Sequence, residues 1–257
     1  MPVGDNLIRL LGRYSTGLRL AAEHGSASAP FCEYVYDNTP QGRGPVGRWI
    51  DSAFLGLSTW ESIRQRIQST KDIVAEIAAR RRAAGRTTVI LDVASGTGRY
   101  LRELMRERTS EDLIIVCHDR DPRQVMHGRQ LVEKEGLERF SFSVGDATDE
   151  SSYLTSQDPD IILAIGLFPY LYRDDAVRAV MRLAFQYLSP GGSFVCTTLA
   201  KPYARLGNWE SNGLASRPVI RPPELIGEWL RVAGFTRIDQ RFSQPHGFAL
   251  IGWKPED

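Results

Sequence analysis

From Thr88 onward, short apolar runs alternate with longer stretches of helical periodicity. The runs Thr88 to Val93, Leu113 to Cys117, Phe140 to Val144, Ile161 to Ile165 and Ser193 to Thr198 are strand-sized, and each has a helical stretch or connection after it. This alternation predicts a mostly parallel sheet with helices on both faces. The end of the chain reads differently. A helix from about Pro223 to Val232 stops at Gly234, and the runs Thr236 to Phe242 and Phe248 to Trp253 are joined by only Ser243 to Gly247. A link that short makes the last pair antiparallel.

Upstream of Gly85 and Arg86 the texture is helical and loop-rich. Apolar residues at Leu7, Leu10, Leu11, Leu18 and Ala21 predict an amphipathic helix to about Ala22. Gly25 to Pro30 and Asp37 to Gly47 are so rich in turn residues that they predict a surface loop or cap. Ser58 with Glu61 three residues on reads as a capping box, and Ile63, Ile67, Val74 and Ile77 mark one face of a helix to about Ala84. The expected division is therefore a cap over residues 1–85 and a catalytic domain over 86–257. Tyr34, Tyr36, Trp49 and Phe54 need a covering surface, which makes the cap a candidate lid over the strand ends. Arg43, Arg48, Arg64 and Arg66 offer a basic face to a carboxylate, or solvated arginines. Tyr36 and Arg64 are the substrate candidates of this segment.

The 257 residues are 42% hydrophobic and 25% charged, as in an ordinary globular protein. A net charge of +1 provides no global field for a polyanion, so composition points away from nucleic acid and toward a small substrate. The cysteines Cys32, Cys117 and Cys196 are odd in number, and neither they nor the four histidines show metal-ligand spacing. No metal site is expected. The longest apolar run, Ile161 to Tyr172, is too short for a bilayer, and the first residues do not have the layout of a signal peptide. The expectation is a cytoplasmic protein with no membrane partner.

The strongest motif is VILDVASGTGRYL, Val89 to Leu101, a strand that runs through an acid into a small-residue turn and a helix. Ala94, Gly96 and Gly98 let backbone approach a ligand, and Asp92 at the strand end suits the ammonium of an amino-acid ligand. The pattern D-x-A-x-G-x-G lacks the third glycine of dinucleotide sites, since Leu101 stands there, so a pyrophosphate cradle is disfavoured. The second strand ends in Asp119, Arg120, Asp121 and Pro122, where Asp119 can accept both hydroxyls of a ribose and Asp121 can cap the next helix. The third ends in Gly145, Asp146 and Ala147, where a carboxylate can accept from an exocyclic amine such as that of adenine. Open α/β sheets bind ligands at these carboxyl ends.

LDVASGTG, HDRDP, GDA, DIILAIGLF and LSPGGSF resemble the successive motifs of class I S-adenosylmethionine (SAM)-dependent methyltransferases, over about Thr87 to Trp253. The implied fold is α/β and Rossmann-like, a mostly parallel sheet with an antiparallel C-terminal strand, plus the N-terminal helical cap. YVYDNTPQGRGPVGRWIDSAFL, WESIRQR and VIRPPELIGEWLRVAGF are similar to a narrower bacterial group of methyltransferase-like proteins, some fused to α/β-hydrolases. The superfamily usually has glycine where Ala94 stands. By this resemblance Asp92 and the backbone from Ala94 to Gly98 hold the methionine moiety, Asp119 with Arg120 the ribose, and Asp146 with Ala147 the adenine. The sulfonium then lies near Ile165 and Gly166, beside the aromatic run Phe168, Tyr170 and Tyr172, whose faces suit a sulfonium or simply pack under the next helix.

SAM as methyl donor to a small molecule is the leading reading. The alternative treats SAM as substrate: its own amine attacks the γ carbon, giving azetidine-2-carboxylate and methylthioadenosine. The aromatic run and the lack of an evident base motivate that cyclase. A third reading, a non-catalytic SAM-binding module, is disfavoured because all the binding acids are in place.

Overall fold

The computed structural model describes residues 11–25, 28–107, 112–199, 218–243 and 247–256. Among them, residues through Arg66 form one compact unit and those from Ile67 another.

The first unit contains α1 (Thr16–His24), α2 (Ala29–Asp37), α3 (Gly44–Leu55) and the start of α4 (Ser58–Ala83). The single helix expected to run from Leu7 to Ala22 is interrupted: Arg13 to Ser15 leave the helical path, and the buried Ser15 hydroxyl caps α1 by accepting from Leu18 N–H at 3.1 Å. Leu7 and Leu10 lie outside the described residues. The loop expected around Pro30 is instead the start of α2, because proline in a first helical turn forfeits no hydrogen bond. Pro45 does the same for α3.

This unit has its own small core of Leu18, Ala21, Phe31, Tyr34, Val35, Phe54, Leu55 and Trp60. Tyr34 and Phe54, expected to cover the strand ends, are thus spent inside it, while Trp49 stays 72% exposed. At its centre is Asp51, fully buried. It accepts from the Tyr34 hydroxyl at 2.6 Å, Gln41 N–H at 3.1 Å, the Ser15 hydroxyl, and the Thr16 and Gly17 N–H groups, each at 3.3 Å. A carboxylate against the first N–H groups of α1 satisfies donors that have no intrahelical partner and complements the helix dipole.

The second unit carries β1 (Thr88–Asp92), α5 (Arg99–Glu107), β2 (Leu113–Asp119), α6 (Pro122–Glu135), β3 (Phe140–Val144), β4 (Ile161–Ala164), α7 (Asp174–Tyr187), β5 (Ser193–Leu199), α8 (Pro223–Ala233), β6 (Arg237–Ser243) and β7 (Gly247–Trp253). Their order in the sheet is β3-β2-β1-β4-β5-β7-β6, with β7 antiparallel to both β5 and β6. All five residues of β1 are buried, as its central position between β2 and β4 requires. One face packs the second half of α4 (Ile73, Val74, Ile77, Ala78) with α5 and α6. The other packs α7 and α8. The expected boundary at Gly85 therefore differs from the observed one at Arg66, because the apolar stripe of α4 beyond Arg66 belongs to the core of the sheet.

At the amino ends of the strands, Asp160 accepts from Val89 N–H at 2.9 Å and pairs with Arg81 at 2.5 Å, tying the end of α4 to β1 and β4. At the carboxyl ends, strand order reverses between β1 and β4, which opens the crevice where such sheets take ligands. Among the described residues, no helix is long and apolar enough to cross a membrane.

Candidate active site at the strand tips

The turn after β1 is shaped by two left-handed glycines, Gly96 at φ +56° and Gly98 at φ +65°. A side chain on Gly98 would also strike the Phe142 ring at 2.9 Å, so this position closes the turn against the sheet. Gly96 faces open space, with Gln124 Oε1 at 4.0 Å as the nearest neighbour of an added Cβ, so no side chain keeps a ligand from this part of the turn. Ser95 N–H donates to His118 O at 3.0 Å and Gly96 N–H to Asp119 at 2.8 Å, binding this turn to the tip of β2.

Asp119 also accepts from Asp121 N–H at 2.9 Å, so each of its oxygens already takes one backbone donor. A carboxylate oxygen has a second lone pair, and a half-buried position leaves it usable. Asp121 caps α6, accepting from Arg123 N–H at 2.9 Å, with Pro122 next, as the sequence implies. Arg120 is exposed, and its charge helps hold the exposed Asp146 below the ordinary carboxylate range. The Thr148 hydroxyl and N–H, at 2.7 and 2.8 Å, contribute more to that shift. Ala147 beside it is buried, and its carbonyl accepts from the Tyr153 hydroxyl at 2.8 Å.

Asp92 is the most enclosed of the three acids. It has no exposed surface, and its oxygens accept from Ala94 N–H at 3.1 Å and from the Tyr100 hydroxyl. Burial pushes its carboxyl up to about 7, against the opposing pull of these two hydrogen bonds, and the nearby Asp119 adds to the rise.

Across the crevice, Ile165 is buried, and Gly166, at φ +72°, donates its N–H to the buried Thr197 hydroxyl at 2.7 Å. The three aromatic candidates separate. Phe168 is fully buried, 6.4 Å from Phe194 in the core under α7, so it cannot surround a ligand, whereas Tyr170 and Tyr172 are 45% and 63% exposed. Packing claims Phe168 because it begins the short turn Phe168–Tyr170, which folds straight back onto the sheet. In the first unit Tyr36 is half-buried on α2. Arg64 donates to Leu55 O at 3.0 Å and to Val35 O at 3.4 Å, and burial lowers its pKa. Its guanidinium thus serves carbonyls near the ends of α2 and α3, where cationic side chains are favoured.

Sequence reasoning missed Arg221. Only 2% exposed, it donates to Phe168 O, Leu171 O and Asp174, each at 2.8 Å, and its own carbonyl accepts from the Thr198 hydroxyl at 2.8 Å. Thr197 and Thr198 at the end of β5 therefore fix Gly166 and Arg221, and through them the loop after β4. Nothing in a lone arginine before two prolines signals such a hub. Thr197→Val should leave the Gly166 N–H without its acceptor and cost about 1–2 kcal/mol in urea unfolding. An unchanged midpoint would show that Gly166 finds another partner.

The family described as "Putative methyltransferase" matches residues 4–248. The chain belongs to this family. It is 29% identical over 248 residues to the Escherichia coli K12 "Uncharacterized protein YnbC", a match that covers 92% of this chain and 42% of YnbC, so the chain spans about two fifths of that relative's length. A structure of a possible exported protein from Bordetella parapertussis superposes with a TM-score of 0.69 at 19% identity, over 93% of this chain and 83% of that one. Magnesium protoporphyrin IX methyltransferase from Synechocystis PCC 6803, solved with bound S-adenosylhomocysteine (SAH), gives 0.58 at 14% identity over 89% and 96%. At these identities the likeness to the two solved structures is one of fold: the Rossmann-like methyltransferase sheet with its antiparallel C-terminal strands.

Proposed function

We propose that this chain is a SAM-dependent methyltransferase acting on a small molecule. The carrying observation is the hydrogen bond from Gly96 N–H to Asp119 at the reversal of strand order, which joins a backbone turn open to a ligand to a carboxylate with acceptor capacity to spare. Asp119 accepts the ribose hydroxyls, and the tip at Asp146 and Ala147 takes the adenine. The turn from Ala94 to Gly98, with the charge of Asp92 beneath it, receives the methionine end. These groups fit SAM: two acids at the nucleoside end, Asp119 and Asp146, and a buried acid at the end that carries an ammonium. SAM, when bound, supplies a methyl group made electrophilic by its sulfonium.

The protein's own contribution is alignment and exclusion of water, which suffice for much of such a transfer. Gly166, held by Thr197, and the loop held by Arg221 form the wall on which an acceptor is positioned, with Tyr170 and Tyr172 the exposed aromatic groups there. Near-zero net charge favours a small acceptor over a nucleic acid. The free cysteines, two of them buried, agree with a reducing cytoplasm.

Calorimetry should show SAH binding at micromolar scale and no binding of NAD, because the turn lacks the third glycine that a pyrophosphate uses. Tight NAD binding without SAH binding would overturn the proposal. Incubation with SAM alone, followed by mass analysis, separates the reactions. Turnover that starts only with an added acceptor and yields SAH supports methyl transfer, whereas methylthioadenosine without acceptor would establish the cyclase.

A further inference from the structure

Tyr100 stands on the first turn of α5, two residues past Gly98, and is 3% exposed. Its hydroxyl donates to the Asp92 oxygen that the Ala94 N–H does not use. Among the described residues, the charge that acts on Asp92 is the negative one of Asp119. On β4 its register partner is Leu163, and on β2 it is Cys117, a thiol that burial keeps protonated. Asp119, also on β2, adds like charge, and Arg102 on α5 is committed to Thr97 O and Glu135. The ionised form of Asp92 thus leans on donated hydrogen bonds, and Tyr100 supplies the side-chain one.

We infer that Tyr100 is a positioning residue that keeps Asp92 ionised and oriented beneath the turn, and thereby couples binding of an ammonium-bearing ligand to release of a proton. This rests on the SAM reading for the ligand, but not for the state of Asp92 itself. The carboxyl of the free protein titrates near 7, so part of the population is protonated at neutral pH. A cation arriving at the turn favours the carboxylate, and the proton leaves to solvent. Affinity should therefore rise with pH until Asp92 is ionised in the free protein. Stability has the opposite sign: a carboxyl that keeps its proton to higher pH when folded than its ordinary 3.8 costs stability as pH rises from about 4 to about 7.

The test compares wild type, Tyr100→Phe and Asp92→Asn. First, the free protein is titrated by infrared difference spectroscopy, reading the protonated-carboxyl stretch that Asp92→Asn abolishes. Loss of one charge-assisted hydrogen bond should move this titration upward by about one to two pH units in Tyr100→Phe. An unmoved titration would overturn the inference whether or not SAM binds. Second, SAH is bound to each form at pH 7 and pH 9 in buffers of different ionisation enthalpy. For a shift of about one unit, Tyr100→Phe should bind roughly five-fold more weakly than wild type at pH 7 and within about two-fold at pH 9, with more protons released at pH 7. Comparing variants at each pH cancels the ligand's own ionisation. Methylthioadenosine, which lacks the ammonium, should show no such dependence, and equal ratios for both ligands would overturn the coupling. If wild type binds neither ligand, the SAM reading fails while the infrared result still decides the role of Tyr100. Should Tyr100→Phe fold poorly, the double variant with Asp92→Asn should regain stability, because no buried charge then lacks its donor. No regain would also count against the inference.

Discussion

Asp119→Ala should weaken SAH binding by about 2–4 kcal/mol, since a ribose diol would lose two hydrogen bonds to a charged acceptor. The same change should cost about 1–3 kcal/mol of folding stability, because the Gly96 and Asp121 N–H groups lose their acceptor. Isothermal titration and urea unfolding measure the two effects separately. Lost stability with unchanged affinity would make Asp119 a brace for the turn and place the ribose elsewhere. A reading from sequence gives only the first effect: the acid at the strand tip is visible, but the backbone groups that fold around it are not.

Asp51→Ala should be the most damaging single change in the first unit, at about 3–5 kcal/mol. It strips the acceptor from five donors in a buried network, including the N–H groups that open α1. Hydrogen exchange gives the readout. Protection should be lost across α1 and α3 while β1 and β4 keep theirs. Undiminished protection in α1 would mean that water replaces the carboxylate at little cost. Asp51→Asn should fall in between, keeping one acceptor oxygen and adding a donor where only acceptors are wanted.

The sheet was legible in the sequence because its signals are local. Each of the runs starting at Thr88, Leu113, Phe140, Ile161 and Ser193 lies on an observed strand, and the short link after Phe242 did mark an antiparallel pair. The turn glycines and the acids at three strand tips were legible for the same reason: a tight turn and an exposed tip restrict residue type at known offsets. What stayed hidden depends on distant partners. Arg221 reads as one more arginine until Phe168 and Leu171 fold back to meet it, Asp51 as a polar residue in a helix until Ser15 and Tyr34 arrive. The aromatic run after β4 misled for a related reason, since composition cannot say which ring turns inward. In the first unit, prolines that suggested loops were opening α2 and α3.

The long helix α4 also sets an order of events. Its stripe of Ile73, Val74, Ile77 and Ala78 shares a core with strand residues that reach as far as Ile251, about 175 residues later in the chain. At ribosomal rates of about 5–20 residues per second, that stripe waits roughly 9–35 s for the last of its partners. The described core of the first unit has no such delay, since its residues lie between Leu11 and Ile63 and are all made before that stripe. A nascent chain therefore carries the residues of that small core followed by an apolar helix whose cover is incomplete. Slow translation between Gly85 and Ile251 would lengthen the interval in which that helix is open to aggregation or to a chaperone.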